Sequence, residues 1–117
     1  LLSLIVASVP RPADDFIDPK ASARLWKYSR WPSRCSVRVL NFIASTRRQL
    51  GDLHQPLLVM ASTLDKVIQR RGVEMLRHRT GSERVFIHWL EGSGHAITAD
   101  AEWETVVDQT LMCLKAL

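Results

Sequence analysis

Apolar residues cluster along this chain in short blocks separated by polar punctuation. Pro56–Ala61 and Val85–Leu90 are apolar runs of strand length, the second carrying His88, with β-branched or aromatic content, and predict buried strands. Pro56 is acceptable as a strand's first residue, where no ladder N–H is needed. Leu1–Val9 has the same character, with Ile5, Val6 and Val9, and predicts a buried parallel strand ending at Pro10. Between the runs the period changes. Val37, Leu40, Ile43 or Ala44, and Arg47 recur at helical spacing, predicting a helix over about 34–50 that Ser33 caps and Gly51 stops. Gln69–Arg79 predicts another, with Val73, Met75 and Leu76 as its apolar positions. A last helix over about 101–116 is expected to start at an Asp100 cap and to turn Trp103, Val107, Thr110 or Leu111, and Leu114 inward.

The remaining punctuation fixes the order. PRPADDFIDP, residues 10–19, is a Pro- and Asp-rich loop, and Ala21–Tyr28 is expected to form a short helix before Pro32 interrupts it. Trp26 and Trp31 fall in this stretch, where packing against the body is the favoured role over lining an entrance. Strand, helical excursion, strand, helix, strand, helix is the order of the second half of an α/β sheet.

Composition fits a packed domain. The 117 residues are 46% hydrophobic and 24% charged, against wholesale disorder. Leu1 opens inside an apolar run and Leu117 closes inside a helical pattern, so the expectation is a piece of a longer polypeptide or a truncated product. Leu1–Val9 is far shorter than the roughly 20 residues that span a bilayer, so no transmembrane segment is expected. Cys35 and Cys113 lack metal spacing and are expected to be free, buried thiols in a reducing, cytoplasmic setting. Charge is uneven: residues 1–55 carry nine Lys/Arg against four Asp, and residues 56–117 seven basic against eight acidic groups. A basic half of this kind is read first as a solvated helical surface. Contact with a membrane surface or nucleic acid is the weaker reading, and without a recognition motif no nucleic-acid partner is expected.

The candidate chemistry sits behind the two central strands. Asp65 follows the first and His95 follows the second, in a Glu91–Gly94 turn whose Gly92 and Gly94 offer backbone freedom. In a parallel sheet the carboxyl ends of neighbouring strands form one functional edge. There an Asp that accepts the Nδ1 proton of a His leaves Nε2 free to take a proton from a nucleophile. Helix capping is the alternative role for Asp65. His54, His78 and His88 have no Cys, Asp or Glu at metal spacing, so no metal is expected, and without GxGxxG or a phosphate loop no cofactor is expected either.

PLLVMASTLDKVI followed by FIHWLEGSGHAITAD resembles the C-terminal third of the α/β-hydrolases, most closely the carboxylesterase and monoacylglycerol-lipase group (serine aminopeptidase-like hydrolase domain). Pro56, Asp65 and Val67–Ile68 match the family's acid loop, and Glu91, Ser93, Gly94, His95, Ile97, Thr98 and Asp100 reproduce its histidine phrase. The resemblance implies Asp65 and His95 as catalytic acid and base. It implies an α/β fold that is the C-terminal half of a hydrolase sheet with a small helical cap, with 1–11 as a strand and its exit, 12–50 as the cap and 51–117 as the core. The implied substrate is an acyl ester or monoacylglycerol, and the implied partner is the missing N-terminal part of the same domain.

Two departures qualify this. Ala61–Ser62–Thr63–Leu64 stands where the family often has Gly before the acid, and no GxSxG occurs in the chain. Ser93 lacks the strand–turn–helix elbow, so the nucleophile is expected upstream of Leu1. Peptidase, thioesterase and acyltransferase chemistry stay open, as does a non-catalytic remnant or protein-interaction module.

Overall fold

A computed structural model describes residues 7–117. Leu1–Val6, the larger part of the first expected strand, lie outside the described residues. The two central apolar runs form β3 and β4 below, and the elements before them differ from expectation in instructive ways.

Ser8–Pro10 forms strand β1, but it pairs antiparallel with β2, Arg30–Pro32, in the register Ser8↔Pro32, Val9↔Trp31 and Pro10↔Arg30. The expected parallel pairing and burial do not hold for these residues: Val9 and Trp31 are exposed. Proline at both ends removes ladder donors and confines the ribbon to three residues. Arg30 closes it by donating from Nε to Ser8 Oγ at 2.8 Å and from its guanidinium to Ser8 O at 2.9 Å.

The helix expected over Ala21–Tyr28 is one turn, α1 (Ala21–Arg24), and Leu25 is already extended. Only Ala21 is buried, so nothing repays the unfavourable nucleation of a longer helix. Helix α2 spans Ser33–Gln49. Ser33 is its first residue rather than its cap; extended Pro32 holds the cap position and makes no side-chain cap bond. The helix ends in a 3-10 turn, Leu50–Asp52, and Gly51 has no positive φ, so tightening of the last turn stops it rather than a left-handed glycine. None of its residues is buried. Trp26, 79% exposed, packs edge-on against Tyr28 with centroids 4.4 Å apart, not against the body.

From Leu57 onward the structure is a β–α–β–α unit. Strands β3 (Leu57–Ser62) and β4 (Val85–Leu90) are parallel, in the register Leu57↔Val85 through Ser62↔Leu90. Helix α3 (Arg70–Arg79) crosses between them, with Val73 buried. Helix α4 is Trp103–Lys115, and its inward residue is Val106. The face predicted to point inward, Trp103, Val107, Leu111 and Leu114, is exposed. That stripe is apolar and at helical spacing, so the sequence marks it for burial, but no described element covers it.

The fold is therefore α/β, built from two small sheets and four helices among the described residues. Its Cα radius of gyration is 16.4 Å, against about 13 Å for a compact domain of this length. The excess matches the exposed apolar faces of α2 and α4. No described helix is long and apolar enough to cross a membrane. Cys35 is exposed and Cys113 half-buried, both free, so the expected burial fails for Cys35.

Candidate active site

The carboxyl ends of β3 and β4 lie side by side because the strands are parallel and in register. Their exits differ. After Ser62 the chain turns through Thr63–Leu64 to Asp65, with Thr63 N–H donating to Leu90 O at 2.9 Å. Ser62, itself buried, accepts the Leu64 N–H at 3.0 Å and donates its hydroxyl to Ser93 O, stitching the two exit loops together.

Asp65 is held by its own loop. Its Oδ1 accepts the N–H groups of Val67 at 2.7 Å and Ile68 at 2.9 Å, which fixes the carboxylate plane and leaves Oδ2 free to face across the edge. There it meets His95 Nδ1 at 3.0 Å. The Asp65 side chain is 7% exposed and that of His95 46%. Burial pushes the Asp65 carboxyl up, but the bonds from His95, Ile68 and Val67 outweigh it and hold the carboxyl below its ordinary range. Asp65 is thus ionised at neutral pH and oriented, while the imidazole it holds reaches solvent. A cleft of about 280 Å³ opens beside the pair, walled by Val59, Ile68, Val73, Leu76 and Ile97 together with Asp65 and His95. It is mostly apolar and suits a hydrocarbon portion of a ligand.

The histidine loop is built from backbone accounting. Glu102 accepts the N–H groups of Gly92 at 2.7 Å and Glu91 at 3.4 Å. Ser93, fully buried, accepts the Glu102 N–H at 3.0 Å. Gly94 has no positive φ; what requires glycine is proximity, since a Cβ there would lie 2.0 Å from Asp15 O. Asp100 is not the cap of α4. It is 0% exposed and accepts backbone N–H groups from Ile17, Asp18, Gly94 and Ala101, while Glu102 holds the cap position.

No protein-family model matches the chain, and no curated protein sequence matches it. Solved structures do. A structure reported for the metagenome-derived lipolytic enzymes LipS and LipT superposes with a TM-score of 0.88 at 21% identity, over 96% of this chain and 45% of that one. The monoacylglycerol lipase of Paleococcus ferrophilus superposes with a TM-score of 0.73 at 17% identity, over 94% of this chain and 48% of that one. The likeness is one of fold. The chain spans a little under half the length of these two neighbours.

The structure brings Asp65 and His95 together and keeps the other histidines away from them. His54 Nδ1 lies 3.0 Å from Gly81 O, His78 is in the last turn of α3, and His88 sits within β4. Ser93 is fully buried, with its Oγ accepting the Glu102 N–H. Among the described residues no three His, Cys, Asp or Glu side chains gather as a metal site would. Sequence reasoning missed Ser62, Asp15 and the burial of Asp100. Ser62 and Asp100 carried a signal: a lone polar residue ending an apolar run, and an Asp ending a Gly-rich loop that must satisfy its own N–H groups.

Proposed function

We propose that this chain is the C-terminal part of a carboxylic ester hydrolase, of the carboxylesterase or monoacylglycerol-lipase kind, with Asp65 and His95 as the acid and base of a Ser-His-Asp triad. The observation that carries the reading is the 3.0 Å His95 Nδ1–Asp65 Oδ2 pair at the joint carboxyl end of two parallel strands. The lipolytic description of both solved neighbours supports the substrate class, and the apolar cleft beside the pair supports an acyl group.

In this reading the nucleophilic serine comes from a preceding part of the same domain. Asp65, ionised and pinned by Val67 and Ile68, holds the imidazole proton on Nδ1. Nε2 then accepts the serine proton as the hydroxyl oxygen attacks the ester carbonyl. The imidazolium that forms is stabilised by the adjacent carboxylate and returns the proton to the departing alcohol. In the second half Nε2 takes a proton from water, which attacks the acyl-enzyme, and the serine leaves reprotonated. Residues 12–50 would form the cap, 51–117 the core, and the region before them a strand and its exit.

The test is turnover of a short-chain and a medium-chain acyl ester, and of a monoacylglycerol, by a complete domain that includes this chain. His95→Ala should reduce the rate by roughly 10³-fold or more. Unchanged turnover in that variant contradicts the assignment.

A second reading has its own observation. Trp103, Val107, Leu111 and Leu114 on α4, and Leu40 and Phe42 on α2, are exposed together. They favour a non-catalytic remnant that offers these faces to another chain. Hydrogen exchange on the isolated 117 residues separates the two: a free-standing module protects the β3 and β4 amides strongly, and a dependent fragment protects them weakly.

A further inference from the structure

One buried group does nothing in the proton transfer yet collects more backbone bonds than any other side chain around the site. Asp100 lies at the end of the histidine loop, 0% exposed, with no cationic side chain paired to it among the described residues. Its Oδ1 accepts from Asp18 N–H at 2.7 Å and Ala101 N–H at 2.9 Å. Its Oδ2 accepts from Gly94 N–H at 2.6 Å. The Ile17 N–H is shared between both oxygens at 3.0 Å each. Burial raises this carboxyl, and the four N–H groups, led by Gly94, outweigh it and keep it ionised.

Two of those donors are local and two lie more than 80 residues away in sequence, on the segment 15–18. A residue that merely ended a loop would need only the local pair. The same segment reaches His95 itself: Asp15 Oδ2 accepts the His95 backbone N–H at 3.0 Å. Arg24 adds a second tie, bridging the Asp18 carboxylate at 3.0 Å and donating to Ala99 O at 3.1 Å. Gly94 lets the two backbones meet, since any Cβ there would collide with Asp15 O. His95 is therefore held from two sides. Asp65 grips the ring, and the 15–18 segment, latched by Asp100, grips the backbone.

We propose that Asp100 is a positioning residue: it latches the 15–18 segment onto the histidine loop, and through Asp15 it sets the direction in which His95 presents Nδ1 to Asp65. Its catalytic consequence rests on the reading of His95 as the base; the latch itself does not. Because 15–18 opens the stretch proposed as a cap, the latch also makes the seating of that stretch a condition for an aligned base. Both carboxylate oxygens are needed. Asn in this place turns an NH₂ towards N–H donors on one side, so one arm of the latch must let go.

The experiment reads the imidazole directly, in a complete domain that includes this chain, labelled uniformly with ¹⁵N. A ring N–H exchanges with water too fast to be seen unless a hydrogen bond holds it. The His95 Nδ1–H resonance should be present in the unsubstituted protein and absent in Asp65→Asn, which assigns it. In Asp100→Asn its exchange should be faster by about tenfold or more, or the signal lost, while β3 and β4 amides stay protected. A purely structural Asp100 predicts a lower unfolding midpoint with that resonance unchanged, and a folded Asp100→Asn protein showing this overturns the proposal. Should the variant not fold, the unsubstituted protein decides: the Ile17, Asp18 and Gly94 amides should exchange through one common opening. Free exchange at Ile17 and Asp18 beside a protected Gly94 overturns it. Loss of the resonance in Asp100→Asn from a complete domain that shows no ester turnover even without the substitution supports the latch and removes the hydrolase reading instead.

Discussion

Residues 57–101 and residues 7–52 are built from similar proportions of apolar and polar side chains but differ in what those side chains meet. In the first region Ser62, Val73, Leu90, Ser93, Ala99 and Asp100 are buried, and the polar ones have named partners. In the second Ala21 is the one buried residue, Phe42 is 72% exposed, and the Ser33 hydroxyl, though shielded from water, has no partner among the described residues. The first region satisfies itself because its strands are adjacent, parallel and joined by one short helix, so contacts close locally. The second is made of elements whose apolar faces are complementary to nothing described. The exception is instructive. The segment 15–18 belongs to the open region yet is fastened to the closed one by Asp100, Asp15 and Arg24, where backbone donors take the place of apolar packing.

The sharpest way to break this contrast is at the pair itself. Within a complete domain, Asp65→Asn should lower ester turnover by about 10⁴-fold, because the amide favours the wrong imidazole tautomer, with only a small drop in the unfolding midpoint as the stabilised carboxylate charge is lost. A kinetic assay beside a urea titration checks both halves. Next comes the latch. Asp100→Ala leaves the Ile17, Asp18, Gly94 and Ala101 N–H groups without their acceptor, and it should cost about 3 kcal/mol or more in denaturant unfolding. If it costs nothing, the two regions are not coupled there.

Acid should act on the same bonds. The folded Asp65 and Asp100 carboxyls titrate below their ordinary value of 3.8. The stability they contribute is therefore fully present above that value and is lost as pH falls through their folded values. Unfolding midpoints should be level at neutral pH and decline below about pH 4. Asp100→Asn should flatten part of that decline; an equally steep decline removes Asp100 from the account. The smallest effect is expected in the open region. Phe42→Ser or Leu40→Ser should change the stability of the 117-residue chain by no more than about 0.5 kcal/mol, since neither side chain is buried. The same changes in a complete domain should cost more, and equal costs in both would mean that α2 stays uncovered.

Strand and helix identities from Pro56 onward were legible because two short apolar runs flank a basic amphipathic stretch, a pattern local contacts then realise. Asp65 and His95 were legible as polar groups ending neighbouring strands. The early region was not. Whether Ser8–Pro10 pairs parallel or antiparallel depends on its partner rather than on its own residues, and Ala21–Tyr28 has helical spacing but too little burial to extend beyond one turn. Asp100 looked like a helix cap because capping and loop-bridging aspartates share local sequence; only the approach of Ile17 and Asp18 distinguishes them. The α4 stripe of Trp103, Val107, Leu111 and Leu114 is the reverse case, a clear pattern that no described element covers.

Chemical rescue puts the central claim to the most direct test. In a complete domain His95→Gly should hydrolyse an activated acyl ester at a rate reduced by roughly 10³-fold or more. Added imidazole should restore part of that rate, in proportion to its neutral form. Wild-type turnover in His95→Gly without imidazole would contradict the assignment of His95 as the base.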